Sequence, residues 1–290
     1  MNRIITYIFI IITIILLIYG FDKLISHKKS QLPGTNEQYY KIVSVPVPDT
    51  LFFAGEEMPL DIFYVREALE RELSVITYWH SSTLLLIKMS YRWFPMFDSI
   101  LEANGIPIDF KYLAVIESGL SNAVSPSNAV GFWQFLKGTA EENSLVIDKE
   151  VDERYHIEKS TEAACRYFNE SYEKFGNWTL VAAAYNAGNN GITKQLERQK
   201  SGSYYDLLLS DETSRYVYRI AAMKLIFENP ELFGFYIQDN DIYLPITCRE
   251  VKVEDKIENL ADFARANGIS YKILKYFNPW LRQNFLKNRK

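Results

Sequence analysis

The chain has 290 residues, 48% hydrophobic and 23% charged, with a formal net charge of −4. That composition suits a globular protein with a sizeable core, and the acidic balance argues against a general nucleic-acid binder. Two cysteines, Cys165 and Cys248, and three scattered histidines, His27, His80 and His156, lack ligand-like spacing, and no Walker loop or dinucleotide fingerprint occurs; no metal and no cofactor are expected.

Residues 4–21 form an uncharged run dominated by Ile and Leu, long enough to span a bilayer. Its length and the missing A-x-A cleavage site favour an uncleaved inner-membrane anchor (1–22) over a signal peptide, and the lack of a nearby cysteine excludes a lipoprotein. A short N-terminus before a single span usually stays inside, so the bulk of the chain is expected on the periplasmic side of the cell envelope. Lys23, Lys28 and Lys29 oppose Arg3 in that reading. Residues 23–60 carry prolines and turn residues and read as a tether, with VPVP extended. At ~3.3 Å per residue its reach is on the order of 100 Å.

From 61 to 235 helical periodicity dominates, which predicts a mainly α domain. Residues 61–79 are amphipathic. A helix bent or begun near Pro95 stops at Asn104-Gly105, and a short helix is capped by Asp109 and stopped by Gly119. Further helices are expected from a Ser160 cap to Gly176, through the small-residue stretch AAAYNAG, and from Asp211 to near Pro230. Over 240–290 the texture changes. YLPITCREVKV alternates like a short strand, and helix, turn, helix follow, giving a small α+β module. The two cysteines could pair in an oxidising compartment or remain as buried thiols.

One carboxylate stands out. In YLAVIESGL (112–120), Phe110, Leu113, Ala114 and Glu117 repeat at helical spacing, which places Glu117 on the apolar stripe in the last helical turn. Apolar surroundings and the negative helix end both disfavour its charge and raise its pKa, as a general acid near neutral pH requires. The plain alternative is a glutamate at a helix end that bends into solvent.

Four stretches occur in order: IESG (116–119), SPSNAVGFWQF (125–135), AAAYNAG (182–188) and DETSRYV (211–217). Their order and spacing resemble the catalytic domain of soluble-type lytic murein transglycosylases, most of all the membrane-bound type D group, over roughly residues 75–230. The resemblance implies a lysozyme-like α fold and cleavage of the MurNAc–GlcNAc bond of peptidoglycan with 1,6-anhydro-MurNAc ends. It makes Glu117 the single catalytic acid, and then base. It implies substrate-binding roles for Ser125, Gln134, Tyr185, Asn186 and Glu212, with Tyr185 hydrogen-bonding near Glu117. Trp133 reads first as core packing, and Glu212 alone reads as a helix-start acid. Phe132 replaces an aliphatic residue, Leu136 stands where many members have Met or Ile-Pro, and the segment from Glu117 to Gly131 is one residue shorter than in some members. None of these removes a catalytic group.

The C-terminal stretch resembles a LysM repeat through Leu260-Ala261, Asn267-Gly268-Ile269, Leu274 and Asn278-Pro279. The usual Gly-Asp-Thr-Leu opening turn is replaced by Glu254-Asp255-Lys256-Ile257, and a second strand is not evident. The module is therefore either a glycan binder or a remnant packed on the catalytic domain. Its removal is expected to leave the chemistry intact, since all four stretches precede it. Peptidoglycan glycan strands are the expected partner, with the inner membrane held through the N-terminal segment. A water-using lysozyme-like hydrolase and a catalytically weak peptidoglycan-binding protein are the alternatives, and cleavage at chain ends or within strands is left open.

Overall fold

Residues 44–60, expected as tether, are built into the core. β1 (Phe52–Phe53) pairs antiparallel with β2 (Glu56–Glu57) across a turn in which Ala54 and Gly55 both take positive φ. Phe53 and Met58 are 0% and 1% exposed, and Val45, Leu51 and Leu60 join the same core. Prolines and turn residues hide helical or strand periodicity here without preventing burial. The computed structural model describes residues 42–287. Contacts divide the chain into Met1–Val43 and Ser44–Lys290, and the expected membrane segment lies outside the described residues. Among the described residues no helix is long and apolar enough to cross a membrane.

Helices make up the body: α1 (Phe63–Tyr78), α2 (His80–Ala103), α3 (Lys111–Ser118), α4 (Lys137–Glu142), α5 (Ile157–Phe175), α6 (Trp178–Ala187), α7 (Asn189–Gln199) and α8 (Asp211–Glu228). The long helix α8 packs on α1 and also meets α3 and α6, while α6 lies against α5 and α7. A buried charge ties α1 to α8. Glu72, 1% exposed, accepts from Arg215 Nε at 2.7 Å and Nη2 at 3.2 Å, with Arg219 Nε 3.8 Å away and Arg71 also paired. Three arginines around one site satisfy a carboxylate that could not otherwise be buried.

Three expected helix boundaries differ. α2 runs unbroken through Pro95; burial of Phe97 and Leu101 outweighs a proline cost of ~3 kcal/mol. Asp109 sits in a 3-10 turn and does not cap α3. Its carboxylate instead accepts from Ala54 N at 2.8 Å and pairs with Lys224 at 2.9 Å, fastening the hairpin to α8. α5 begins at Ile157 after His156, so Ser160 lies inside the helix and donates to the Ile157 carbonyl.

In the C-terminal module, α9 (Leu260–Ala266) and α10 (Tyr271–Phe277) enclose a small core of Leu260, Ala264, Leu274 and Leu281. The strand expected in 243–253 does not form. Leu244, Ile246, Val251 and Val253 are exposed, so the alternation has no partner ladder. A strand-like contact appears instead where Ile257 and Leu286 exchange hydrogen bonds of 2.7 and 2.8 Å. Cys165 is buried, Cys248 is exposed, and both are free thiols.

Candidate active site

Glu117 occupies the last turn of α3, where Gly119 closes the helix in the left-handed conformation (φ 61°) and Leu120 follows at φ 55°. Two successive left-handed residues turn the chain sharply away, so the Glu117 side chain is half-buried. Burial pushes its pKa up from 4.5 to about 7. A hydrogen bond from Tyr216 opposes this, the Glu212 charge adds to it, and the Arg219 charge opposes it. The Tyr216 hydroxyl donates to Glu117 Oε1 at 2.5 Å. Burial and the neighbouring Glu117 charge in turn hold the Tyr216 phenol well above its ordinary value, so it remains a donor.

Of the sequence-expected residues, Tyr185 and Glu212 are electrostatic neighbours of this carboxyl. Tyr185, in α6, donates to the Trp133 carbonyl at 2.6 Å, and burial together with the Glu117 charge holds its phenol well above its ordinary pKa. The resemblance implies a Tyr185 hydrogen bond near Glu117; that hydroxyl is taken by the Trp133 carbonyl, and the phenol that donates to Glu117 itself is Tyr216. Asn186 and Glu212 come together: Asn186 Nδ2 donates to Glu212 Oε1 at 3.3 Å, while Asn186 Oδ1 accepts from Thr213 Oγ1 at 2.8 Å. Glu212 is exposed in the first turn of α8, after Ser210 caps it. Beside this group lies a cavity of about 340 Å³ lined by Ile192, Gln195, Arg198, Leu208 and Thr213.

Ser125 and Gln134 belong to the loop 123–135, and much of their polarity serves the loop itself. Ser125 Oγ accepts from Ala129 N at 3.0 Å. Gln134 Nε2 donates to the carbonyls of Ala123 (3.0 Å) and Gly131 (2.8 Å). Gln134 and Asn128 hold positive φ, 49° and 62°, a strain that persists only where the surroundings fix it. Trp133 is fully buried, with Nε1 donating to Thr161 Oγ1 at 2.9 Å, as the core reading had it.

The sequence did not disclose the roles of two residues, Tyr216, which lies in the fourth stretch, and Arg154. Tyr216 stands four residues after Glu212 on one helix, and that spacing is a usable signal that both face the same groove. Arg154, buried behind the loop, donates to the carbonyls of Asn128 (3.1 Å) and Phe135 (3.2 Å), and nothing in its local sequence marks it. Tyr216→Phe removes the one interaction from that phenol that favours the Glu117 carboxylate. The alkaline limb of kcat/KM is expected to move to higher pH, as rates measured between about pH 5 and 9 would show.

The helices around this protonatable carboxyl coincide with a stretch that is similar to known proteins. Residues 101–208 match the family model described as Transglycosylase SLT domain, and residues 249–290 match that described as Soluble lytic transglycosylase C-terminal LysM-like domain. The fold is thus a mainly α, lysozyme-like domain with a LysM-like C-terminal module. The chain is 28% identical over 250 residues to membrane-bound lytic murein transglycosylase D of Escherichia coli strain K12, and equally to that of E. coli O6:H1 strain CFT073. Each alignment covers 83% of this chain and 54% of the relative. The chain therefore spans about half the length of the curated relatives it matches.

Proposed function

We propose that the protein is a lytic transglycosylase that cleaves the MurNAc–GlcNAc bond of peptidoglycan and leaves 1,6-anhydro-MurNAc ends. The observation that carries this reading is Glu117, a carboxyl held near pKa 7 by burial and oriented by Tyr216. At neutral pH a large fraction of it is protonated, so it can donate to the glycosidic oxygen as the bond breaks. The substrate's N-acetyl group stabilises the developing oxocarbenium ion. The resulting carboxylate then accepts the proton of the sugar's C6 hydroxyl, which closes the anhydro ring. One group serves as acid and then base, which a pKa near the working pH suits. Glu212, tied to Asn186 on the solvent side, serves substrate positioning, together with Ser125, Gln134 and Tyr185.

Mass analysis of products released from purified sacculi tests the reaction. Anhydro ends are expected. Products heavier by one water would establish the lysozyme-like hydrolase, and no release with retained adsorption would establish a binding protein.

The same reading places the enzyme in the cell envelope, facing the periplasm and held in the inner membrane by residues 4–21, whose uninterrupted apolar character supports it. N-terminal sequencing of protein from membrane fractions should begin at or near Met1. A soluble periplasmic form beginning near residue 21 or later would show cleavage and remove the anchor.

A further inference from the structure

Charged side chains are seldom buried unless paired, yet Glu150, Asp152, Glu153 and Arg154 are each 7–8% exposed. The segment lies between the C-terminal module and the loop 123–135. On its outer side Arg282 N donates to the Glu150 carbonyl (2.7 Å), Asp152 N to the Trp280 carbonyl (2.9 Å), and Val151 faces Leu281 in an antiparallel bridge. Gln283 Nε2 reaches the Lys149 carbonyl (2.7 Å), and Lys287 N reaches Glu150 Oε2 (3.1 Å). The Arg282 guanidinium lies 4.2 Å from the centre of the Tyr155 ring, and Trp280 packs 5.5 Å from His156.

On the inner side the same segment grips the loop. Asp152 accepts from Arg154 Nε (3.0 Å) and Nη2 (2.8 Å), which directs the remaining guanidinium nitrogen at the Asn128 and Phe135 carbonyls. The Arg154 carbonyl fills the space where a side chain on Gly131 would be. The loop so held contains the two left-handed residues, Asn128 and Gln134.

Building on the proposed function, we propose that the C-terminal module braces the substrate loop. Segment 280–287, docked on 149–152, fixes Asp152, and Asp152 is a positioning residue that aims Arg154 at the loop carrying Ser125 and Gln134. Leu281 belongs both to the module's core and to the bridge with Val151, so the module's own folding and its docking are one event. The module then governs sugar binding from behind the loop, and its removal does not leave the enzyme kinetically unchanged.

The test uses the full chain and soluble glycan strands, so that adsorption to insoluble wall plays no part. Leu281→Asp is chosen to undock the module, Arg282→Ala to weaken docking without a buried charge, and Asp152→Asn to loosen Arg154. Each is expected to raise KM, by roughly tenfold for Leu281→Asp and Asp152→Asn, with kcat and the alkaline limb set by Glu117 changed by no more than about twofold. Amide exchange should quicken at 128–135. Leu281→Asp combined with Asp152→Asn should be no worse than the stronger single variant, as expected for one linked path. Faster exchange at 149–152 with KM and the exchange of 128–135 unchanged would overturn the proposal. So would equal falls in kcat and thermal stability with KM constant. If the wild-type chain releases no anhydro products, the functional reading fails, while the exchange measurements still decide whether the brace exists.

Discussion

Replacing Glu117 by Gln is expected to lower the rate of anhydro-product release by a factor on the order of 10² or more, with the fold retained. Gln keeps the volume and an oxygen that can accept from the Tyr216 hydroxyl, and it removes the transferable proton. Stability should change in a pH-dependent direction. The carboxyl's pKa is raised in the folded protein, from 4.5 to about 7. Its contribution is therefore fully present below the unfolded value and is lost as pH rises through the folded one. A raise of that size corresponds to at most about 3–4 kcal/mol. Above about pH 7 the wild type carries a costly half-buried charge and the variant does not. Melting curves at about pH 5 and pH 8.5 should show the variant gaining on the wild type only at the higher value. Near wild-type turnover by Glu117→Gln would refute the mechanism.

Gly131→Ala should be the most damaging substitution in the loop. An added Cβ would lie 2.0 Å from the Arg154 carbonyl oxygen and 3.0 Å from its carbon, and φ at Gly131 is +86°. The obstacle is backbone, not the end of a flexible side chain, and Arg154 is held by Asp152, Asn128 and Phe135. The strain must be relieved by moving the loop. A loss on the order of 3–4 kcal/mol, or roughly 10 °C in Tm, is expected, together with failure to bind glycan strands. Gly138→Ala is the control, because nothing lies within 4 Å of the added atom. A Gly131→Ala variant that melts with the wild type would show that the loop yields easily.

The strongest elements were legible because their signals are local. α1, α6 and α8 follow from 3.6-residue periodicity, and Gly119 marks the end of α3 because a left-handed stop suits glycine. Glu117 was visible as a charge on an apolar stripe. Long-range partners were not. Asp109 looks like a cap in sequence and becomes the fastening of a hairpin to α8, because Ala54 and Lys224 reach it only in the fold. The alternation in 243–253 suggested a strand, but alternation specifies two faces and not the neighbour that pairs. Likewise the resemblance implies sugar contacts for Ser125 and Gln134, whereas their hydrogen bonds show that they build the loop itself.

The N-terminal hairpin sets the order in which the molecule can be completed during synthesis. Glu56 accepts at 2.6 and 2.9 Å from the amides that open α6, and those partners lie 122 and 123 residues downstream. Glu72 waits 143 residues for Arg215. At about 5–20 residues per second, on the order of ten seconds of translation separates each carboxylate from its partner. During that interval Phe53 and Met58 have only part of their core to enter, since α6 and α8 are still missing, and closure over so long a loop slows folding further. A nascent chain halted before α8 should therefore remain protease-sensitive and dependent on holdase chaperones, and release of α8 from the ribosome should convert it to the resistant form in one step.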